Sequence, residues 1–448
     1  MARDFSKFLM CALFCSLPAA GAWAAGAVYA MANAVGDNEI LVYHRADNGT
    51  LTQMQMIKTR GGGSGIQLSP PDSLGSQGSL ILDDEHRRLF AVNTETLAAN
   101  SQDCQEGTIT SFLVARDGTL TFADRVMSGG LFPNSLTVKS SAHDGERDDG
   151  KGDDGSLLYV LNAGGPGSSP FCGPSPNITG FRVDSRGHMR LLSGSVQPII
   201  DPGPLDGTGS GVNCPTTAGF SSPTFDCGRN PPAFPRSPGQ VGFTPDGTRL
   251  VVTVKATNKI YVFPVGENGA PMVTQAPGPA LPTYFGFAFD QHGHMILTEP
   301  FGQATSIPMG GAGAVSSFAI TEAGGLQQIS ASIGDGGTAA CWIALEPITG
   351  RYAYVSNNLG DSRISAYSVA NDGSLTLLAA TAASGNGPND LVVVRERRSS
   401  FLYVLNSGDG TVAGTVAAFQ INLADGSLIP LPAVGGLPTG GAAGLAAY

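Results

Sequence analysis

FLYVLN at residues 401–406 nearly repeats LLYVLN at residues 157–162, and the same design, an alternating apolar run closing on a polar residue, recurs along the chain. Its other copies are VYAMAN (28–33), LFAVN (89–93), RLVVTVK (249–255), HMILTE (294–299) and YAYVSN (352–357), seven in all. Such alternation marks a strand with one buried face. A unit returning every roughly 50 residues in an all-β chain reads as the blade of a propeller.

Working outward, each copy is followed by a second alternating run: EILVYH (39–44), TITSFLV (108–114), NITGFRV (177–183), KIYVFPV (259–265), AVSSFAI (314–320), RISAYSV (363–369) and TVAAFQI (415–421). Turns such as Asp47-Asn48-Gly49, Asp117-Gly118, Asp372-Gly373 and Asp425-Gly426 then suit a tight hairpin into a fourth strand. First strands precede six copies: SLILD (79–83), SLTVK (135–139), QVGFTP (240–245), FGFAFD (285–290), WIALEP (342–347) and DLVVV (390–394). The first copy has none ahead of it. AGLAAY (443–448) has the length and apolar character to supply it, so the ring is expected to close by joining both ends of the chain in one sheet, which removes free edges. The expected fold is all-β, a seven-bladed β-propeller over residues 25–448 closed by a C-terminal strand. The 62 glycines, about twice the usual share of roughly 7%, are spread along the chain and fit many short turns.

The first residues read MARDFSK, then FLMCALFCSLP, then AAGAWA: a basic start, an apolar run and a small-x-small ending. This predicts a signal peptide over residues 1–24. The run is shorter than the roughly 20 residues that span a bilayer, and no later stretch is long enough. The product is expected to be exported, periplasmic or secreted, and monomeric. The formal charge is −11, and loss of Arg3, Asp4 and Lys7 makes the mature chain one unit more negative, a surface that repels nucleic acid. No glycine-rich stretch opens a strand-to-helix turn, and no CxxC or Cys/His cluster exists, so neither a cofactor nor a metal is expected. Export permits disulfides. Cys214 and Cys227 share one insertion, Cys104 and Cys172 fall in equivalent loops of adjacent blades, and Cys341 reads as a buried thiol in a strand. The acidic stretch 143–155 reads as a solvated loop.

In a propeller the channel mouth is the natural ligand site, because loops from every blade converge there on a rigid frame. Two rings of residues are expected near the face where the second strands end, here called the top. The second-strand ring is Asn93, Asn162, Val254, Glu299, Asn357 and Asn406. Glu299 is its one acid, expected either to act as a general base or to pair with Lys255. The first-strand ring is Ser79, Ser135, Gln240, Tyr284, Cys341 and Asp390, with Lys255 and Arg236 as nearby cations. Histidine is absent from this face, which argues against a Ser-His nucleophile.

Taken together, LYVLNAG (158–164), VGFTPDGTRLVVTVKATNKIYVFPV (241–265), FGFAFD (285–290), GRYAYVSNN (350–358) and FLYVLNSGDGTV (401–412) resemble the lactonase-type seven-bladed propellers, the 6-phosphogluconolactonase and carboxymuconate cyclase family, related to YVTN-repeat propellers. The resemblance runs from about residue 26 to residue 448. It implies opening or closure of a lactone ring at the channel mouth. Where family members carry Pro-x-His before first strands, this chain reads Pro133-Asn134-Ser135, Pro238-Gly239-Gln240 and Pro388-Asn389-Asp390, and the family glutamate of the fourth blade matches Val254. On this reading Glu299, Asp390, Lys255 and Arg236 are the candidate catalytic groups, and Asn93, Asn162, Gln240, Tyr284, Asn357 and Asn406 the candidate substrate contacts. The ligand would be a small lactone or sugar-like molecule. The alternative from another class is a non-catalytic propeller that binds a protein, glycan or cell-envelope component.

Overall fold

The computed structural model describes residues 26–65, 72–95, 105–140, 155–164, 176–199, 238–255, 259–265, 272–275, 284–302, 313–359 and 362–448. The expected signal peptide, Arg236, the acidic stretch at 143–154, and Cys104, Cys172, Cys214 and Cys227 with their expected pairings lie outside these residues. Among the described residues there is no helix long and apolar enough to cross a membrane.

The strands form seven antiparallel sheets, as the repeats predict. β1 (Gly26–Met31), β2 (Glu39–Arg45) and β3 (Leu51–Lys58) belong to blade 1. Blade 2 is β4 (Leu80–Asp83), β5 (Arg88–Asn93), β6 (Glu106–Val114) and β7 (Leu120–Leu131). Blade 3 is β8 (Pro133–Lys139), β9 (Ser156–Asn162), β10 (Asn177–Val183) and an outer strand broken into β11 (Met189–Leu191) and β12 (Gln197–Pro198). Blade 4 is β13 (Pro238–Phe243), β14 (Arg249–Val254), β15 (Lys259–Pro264) and β16 (Met272–Gln275). Blade 5 is β17 (Phe287–Phe289), β18 (Met295–Glu299), β19 (Ala314–Ile320) and β20 (Leu326–Gly334). Blade 6 is β21 (Thr338–Leu345), β22 (Tyr352–Leu359), β23 (Arg363–Val369) and β24 (Leu375–Ala383). Blade 7 is β25 (Pro388–Glu396), β26 (Ser399–Asn406), β27 (Thr415–Ile421) and β28 (Leu428–Val434). The last strand, β29 (Leu445–Ala447), returns to pair with β1 and completes blade 1.

Buried aliphatic and aromatic side chains fill the wedges between blades, as with Tyr159, Leu161, Val252 and Phe263 between blades 3 and 4. Near the channel, polar side chains of one inner strand take up backbone N–H groups of the next. Ser135 Oγ accepts from Val241 N at 3.1 Å, Thr137 Oγ1 from Phe243 N at 3.1 Å and Gln240 Oε1 from Phe287 N at 2.7 Å. These bonds satisfy buried donors that no ladder reaches.

A second joint repeats farther out. Tyr29, Tyr354 and Tyr403, each on a second strand, donate their hydroxyls at 2.9 Å to the carbonyls of Gly118, Gly426 and Gly49 in the hairpin turn of the following blade. Where blade 2 has Phe90 and blade 5 has Ile296 at that place, the cross-strand partner supplies the hydroxyl instead: Ser111 to Gly187 at 2.6 Å and Ser317 to Gly373 at 2.7 Å. All five accepting glycines have φ between 78° and 89°, the left-handed region that only glycine enters without strain.

Candidate functional site

Only first strands line a propeller's channel, and a second strand stands about 4.8 Å farther out. That spacing decides the fate of the second-strand ring. Asn93 spends its amide within the blades, donating to Thr108 and Thr110 and accepting from Asn38 and Thr59. Asn162 donates to the Ser128 carbonyl and Asn177, and Asn406 to the Ser384 carbonyl and Thr415. Asn357 donates to Ser365. All four are buried.

Glu299 is buried at the end of β18, with one carboxylate oxygen accepting from Ser316 and the other from Ser332. Burial pushes its carboxyl up, and the two hydroxyls pull partly against that shift. The expected Glu299–Lys255 pair is not formed. Tyr284 also leaves the expected ring: it is buried in the wedge between blades 4 and 5, edge-on to Phe318 at 6.3 Å.

Lys255 turns instead to a segment that the repeats do not announce. Residues Asp72 to Ser79, between β3 and β4, cross the top of the channel and bond to blade after blade. Ser76 Oγ donates to the Asn134 carbonyl at 2.7 Å and Leu136 N donates to the Gly78 carbonyl at 2.8 Å, both in blade 3. Gln77 N reaches Gly239 O of blade 4 at 3.1 Å, while its side-chain amide exchanges two 3.0 Å bonds with the Ile343 backbone of blade 6. Trp342 Nε1 donates to the Ser76 carbonyl at 2.9 Å. Lys255 Nζ donates to the Gly75 carbonyl and lies 5.0 Å from the centre of the Phe285 ring. The segment is a plug in the mouth.

Within and beside the plug three acidic or thiol groups and one amine sit in low dielectric. Burial pushes the Asp72 carboxyl up against the pull of Lys255, pushes Lys255 down against the pull of Asp72, and pushes the Cys341 thiol up. Cys341 is the buried free thiol the sequence predicts. Asp390 is pushed up to about 7, because burial outweighs the backbone N–H groups of Gly444 and Gly78 that hold it. Its Oδ2 is buried without a hydrogen-bond partner.

Asp390, Gln77 and Gly78 mark the closed end of a cavity of about 420 Å³ that continues down the channel. The walls are inner-strand residues, among them Leu80, Leu136, Phe287 and Leu445, and its polar points include Thr137 and Gln240. Gln240 keeps Nε2 available once Oε1 has accepted from Phe287. The structure therefore brings Asp390 and Gln240 to the cavity, buries Lys255 against the plug outside the cavity lining, and leaves Glu299, Tyr284 and the four asparagines outside it. Gln77 and Thr137 join the cavity, and Asp72 stands near Lys255, none of the three having been singled out from sequence. The only available signal was the unusual length of the Gly/Ser/Pro-rich connection between β3 and β4. Among the described residues no cluster of three His, Cys, Asp or Glu side chains is placed to hold a metal.

No protein-family model matches the chain, and no curated protein does. Solved structures do. A provisionally named 6-phosphogluconolactonase from Bacteroides fragilis is 16% identical, with a TM-score of 0.62 over 94% of this chain and 97% of that one. Another such protein from Bacteroides uniformis is 15% identical, with a TM-score of 0.59 over 94% and 99%. The periplasmic gluconolactonase PpgL of Pseudomonas aeruginosa is 17% identical, with a TM-score of 0.59 over 94% and 98%. At these identities the likeness is one of fold: the chain is a seven-bladed propeller of the architecture found in those lactonase-type proteins.

Proposed function

We propose that the protein is an exported propeller that opens the ring of a small lactone or sugar-like substrate inside its central channel, with Asp390 as the general base. The observation that carries this reading is the placement of Asp390: a buried carboxyl with an unpartnered oxygen and an affinity for protons near neutrality, at the closed end of a cavity of small-ligand size. A base is most effective when its pKa lies near the working pH. Asp390 would take a proton from water as that water attacks the lactone carbonyl, then return it to the ring oxygen as the ester bond breaks. Gln240 Nε2 and the Thr137 hydroxyl would donate to the developing oxyanion, the interaction that most lowers barriers of this type. The similar folds named as a gluconolactonase and as 6-phosphogluconolactonases point to the same substrate class.

The test is hydrolysis of a panel of simple and sugar lactones by the purified chain beside Asp390→Asn and Glu299→Gln. Asp390→Asn is expected to lower kcat by about 100-fold or more, and Glu299→Gln to leave it within a few-fold. Turnover indifferent to Asp390→Asn would remove the base assigned here. The plug favours one other reading, a propeller that binds such a molecule without converting it. Saturable lactone binding with no turnover of any panel member would establish that reading instead.

A further inference from the structure

The joint between blades 3 and 4 differs from the five that carry a hydroxyl-to-glycine bond. Tyr159 occupies the same place in β9 that Tyr354 and Tyr403 occupy in their strands, three residues before the terminal asparagine. Its hydroxyl makes no hydrogen bond among the described residues, and the blade 4 hairpin turn at 266–271 lies outside them. Across the strand stands Gly180, so no serine substitutes as in blades 2 and 5. The Tyr159 ring lies on the bare backbone of Gly180, where a Cβ would approach to 2.8 Å, and meets Phe243 of blade 4 edge-on at 5.8 Å.

The same blade has the broken outer strand. Between β11 and β12 the chain turns away at residues 192–196, and Ser195 Oγ replaces the missing ladder, accepting from Gly180 N at 3.0 Å and lying 3.1 Å from Gly180 O. The departure leaves a cleft of about 310 Å³ whose lining includes Tyr159, Phe263, Arg182, Ser193 and Gln197. That volume sits at the low end of the roughly 300–1,000 Å³ of small-ligand pockets. Arg182 is exposed at this cleft and forms no ion pair among the described residues. A guanidinium in that state matches a carboxylate through two parallel hydrogen bonds. The Tyr159 hydroxyl, Ser193 and Gln197 offer bonds to ring hydroxyls.

We infer that the cleft between blades 3 and 4 is a second binding site, separate from the channel, for a carboxylate-bearing sugar of monosaccharide size, such as a uronic acid or the end of an acidic glycan. The carboxylate meets Arg182, and a ligand oxygen takes the Tyr159 hydroxyl in place of the glycine carbonyl used at the other tyrosine joints. The site does not depend on the channel chemistry proposed above.

Titration calorimetry or saturation-transfer NMR of the full chain with D-glucuronate and with glucose tests it. Glucuronate is expected to bind saturably and at least tenfold more tightly than glucose. Arg182→Gln, an exposed position, should weaken glucuronate at least tenfold, Tyr159→Phe about threefold, and Asp390→Asn not at all. Absence of saturable glucuronate binding, equal binding of glucose, or binding lost in Asp390→Asn but kept in Arg182→Gln would each overturn the inference, the last by placing the sugar in the channel.

Discussion

The joints on opposite sides of the ring are built to different standards. Between blades 7 and 1, Tyr403 bonds to Gly49, Arg45 forms a 3.0 Å ion pair with Glu396 and a 3.1 Å bond to the Tyr448 carbonyl, and β29 carries the end of the chain into the first sheet. Asp390 of blade 7 also grips the Gly444 N–H of that returning strand. Between blades 3 and 4 the tyrosine bond is absent among the described residues and a cleft stands where the outer strand breaks. The chain crosses both joints, but only the first adjoins the place where the ring is not covalently continuous, the pairing of β29 with β1 inside blade 1; the second tolerates a gap. The joint beside the chain's two ends thus carries an ion pair and a returning strand in addition to the tyrosine bond found elsewhere in the ring.

The bluntest way to break this contrast is to delete residues 443–448. Blade 1 then loses its inner strand, and the loss is expected to reach about 5 kcal/mol or more, comparable with the whole stability of an ordinary domain. Thermal unfolding should show no cooperative transition near that of the full chain; a truncated protein that melts normally would mean the closure is dispensable.

Asp390 sharpens the same joint through pH. Its folded pKa of about 7 lies above the ordinary carboxyl value of 3.8, so between those values the folded state holds the proton more firmly and stability falls as pH rises, with no further loss above about 7. Asp390→Asn removes that loss. The variant is expected to match the parent near pH 4 and to exceed it by about 4 kcal/mol at pH 8. Denaturant titrations at the two pH values decide it, and a variant less stable at pH 8 would contradict the buried, weakly compensated carboxyl described here.

The finest comparison uses one hydroxyl at each joint. Tyr403→Phe removes a buried bond and is expected to destabilise by about 1 kcal/mol. Tyr159→Phe, whose hydroxyl bonds to nothing among the described residues, should change stability by less than about 0.3 kcal/mol. Equal costs at the two positions would show that the joints do not differ in the way their hydrogen bonds suggest.

The blades were legible in the sequence because each carries the same alternation, and AGLAAY fits a vacancy that the alternation itself defines. Two of the three tyrosine joints were also written there, as Tyr354 and Tyr403 three residues before the Asn that closes the repeat and a Gly in the next hairpin, but a bond between blades is visible only once the blades are neighbours. The candidate site was harder to read. Glu299 ends its strand in line with asparagines and looked equivalent to a channel residue, yet it stands one strand away from the channel. Asp390 could be placed because it begins an inner strand. The plug could not, because Asp72 to Ser79 follows no period and takes its shape from partners in other blades.

That plug has a bearing on how many blades the molecule can have. Its eight residues make bonds to blades 3, 4 and 6 and donate the Gly78 N–H to Asp390 of blade 7, so their reach must equal the bore of the ring. A ring of six would crowd the segment and a ring of eight would leave its donors short of acceptors. The plug is thus matched in length to a ring of seven blades.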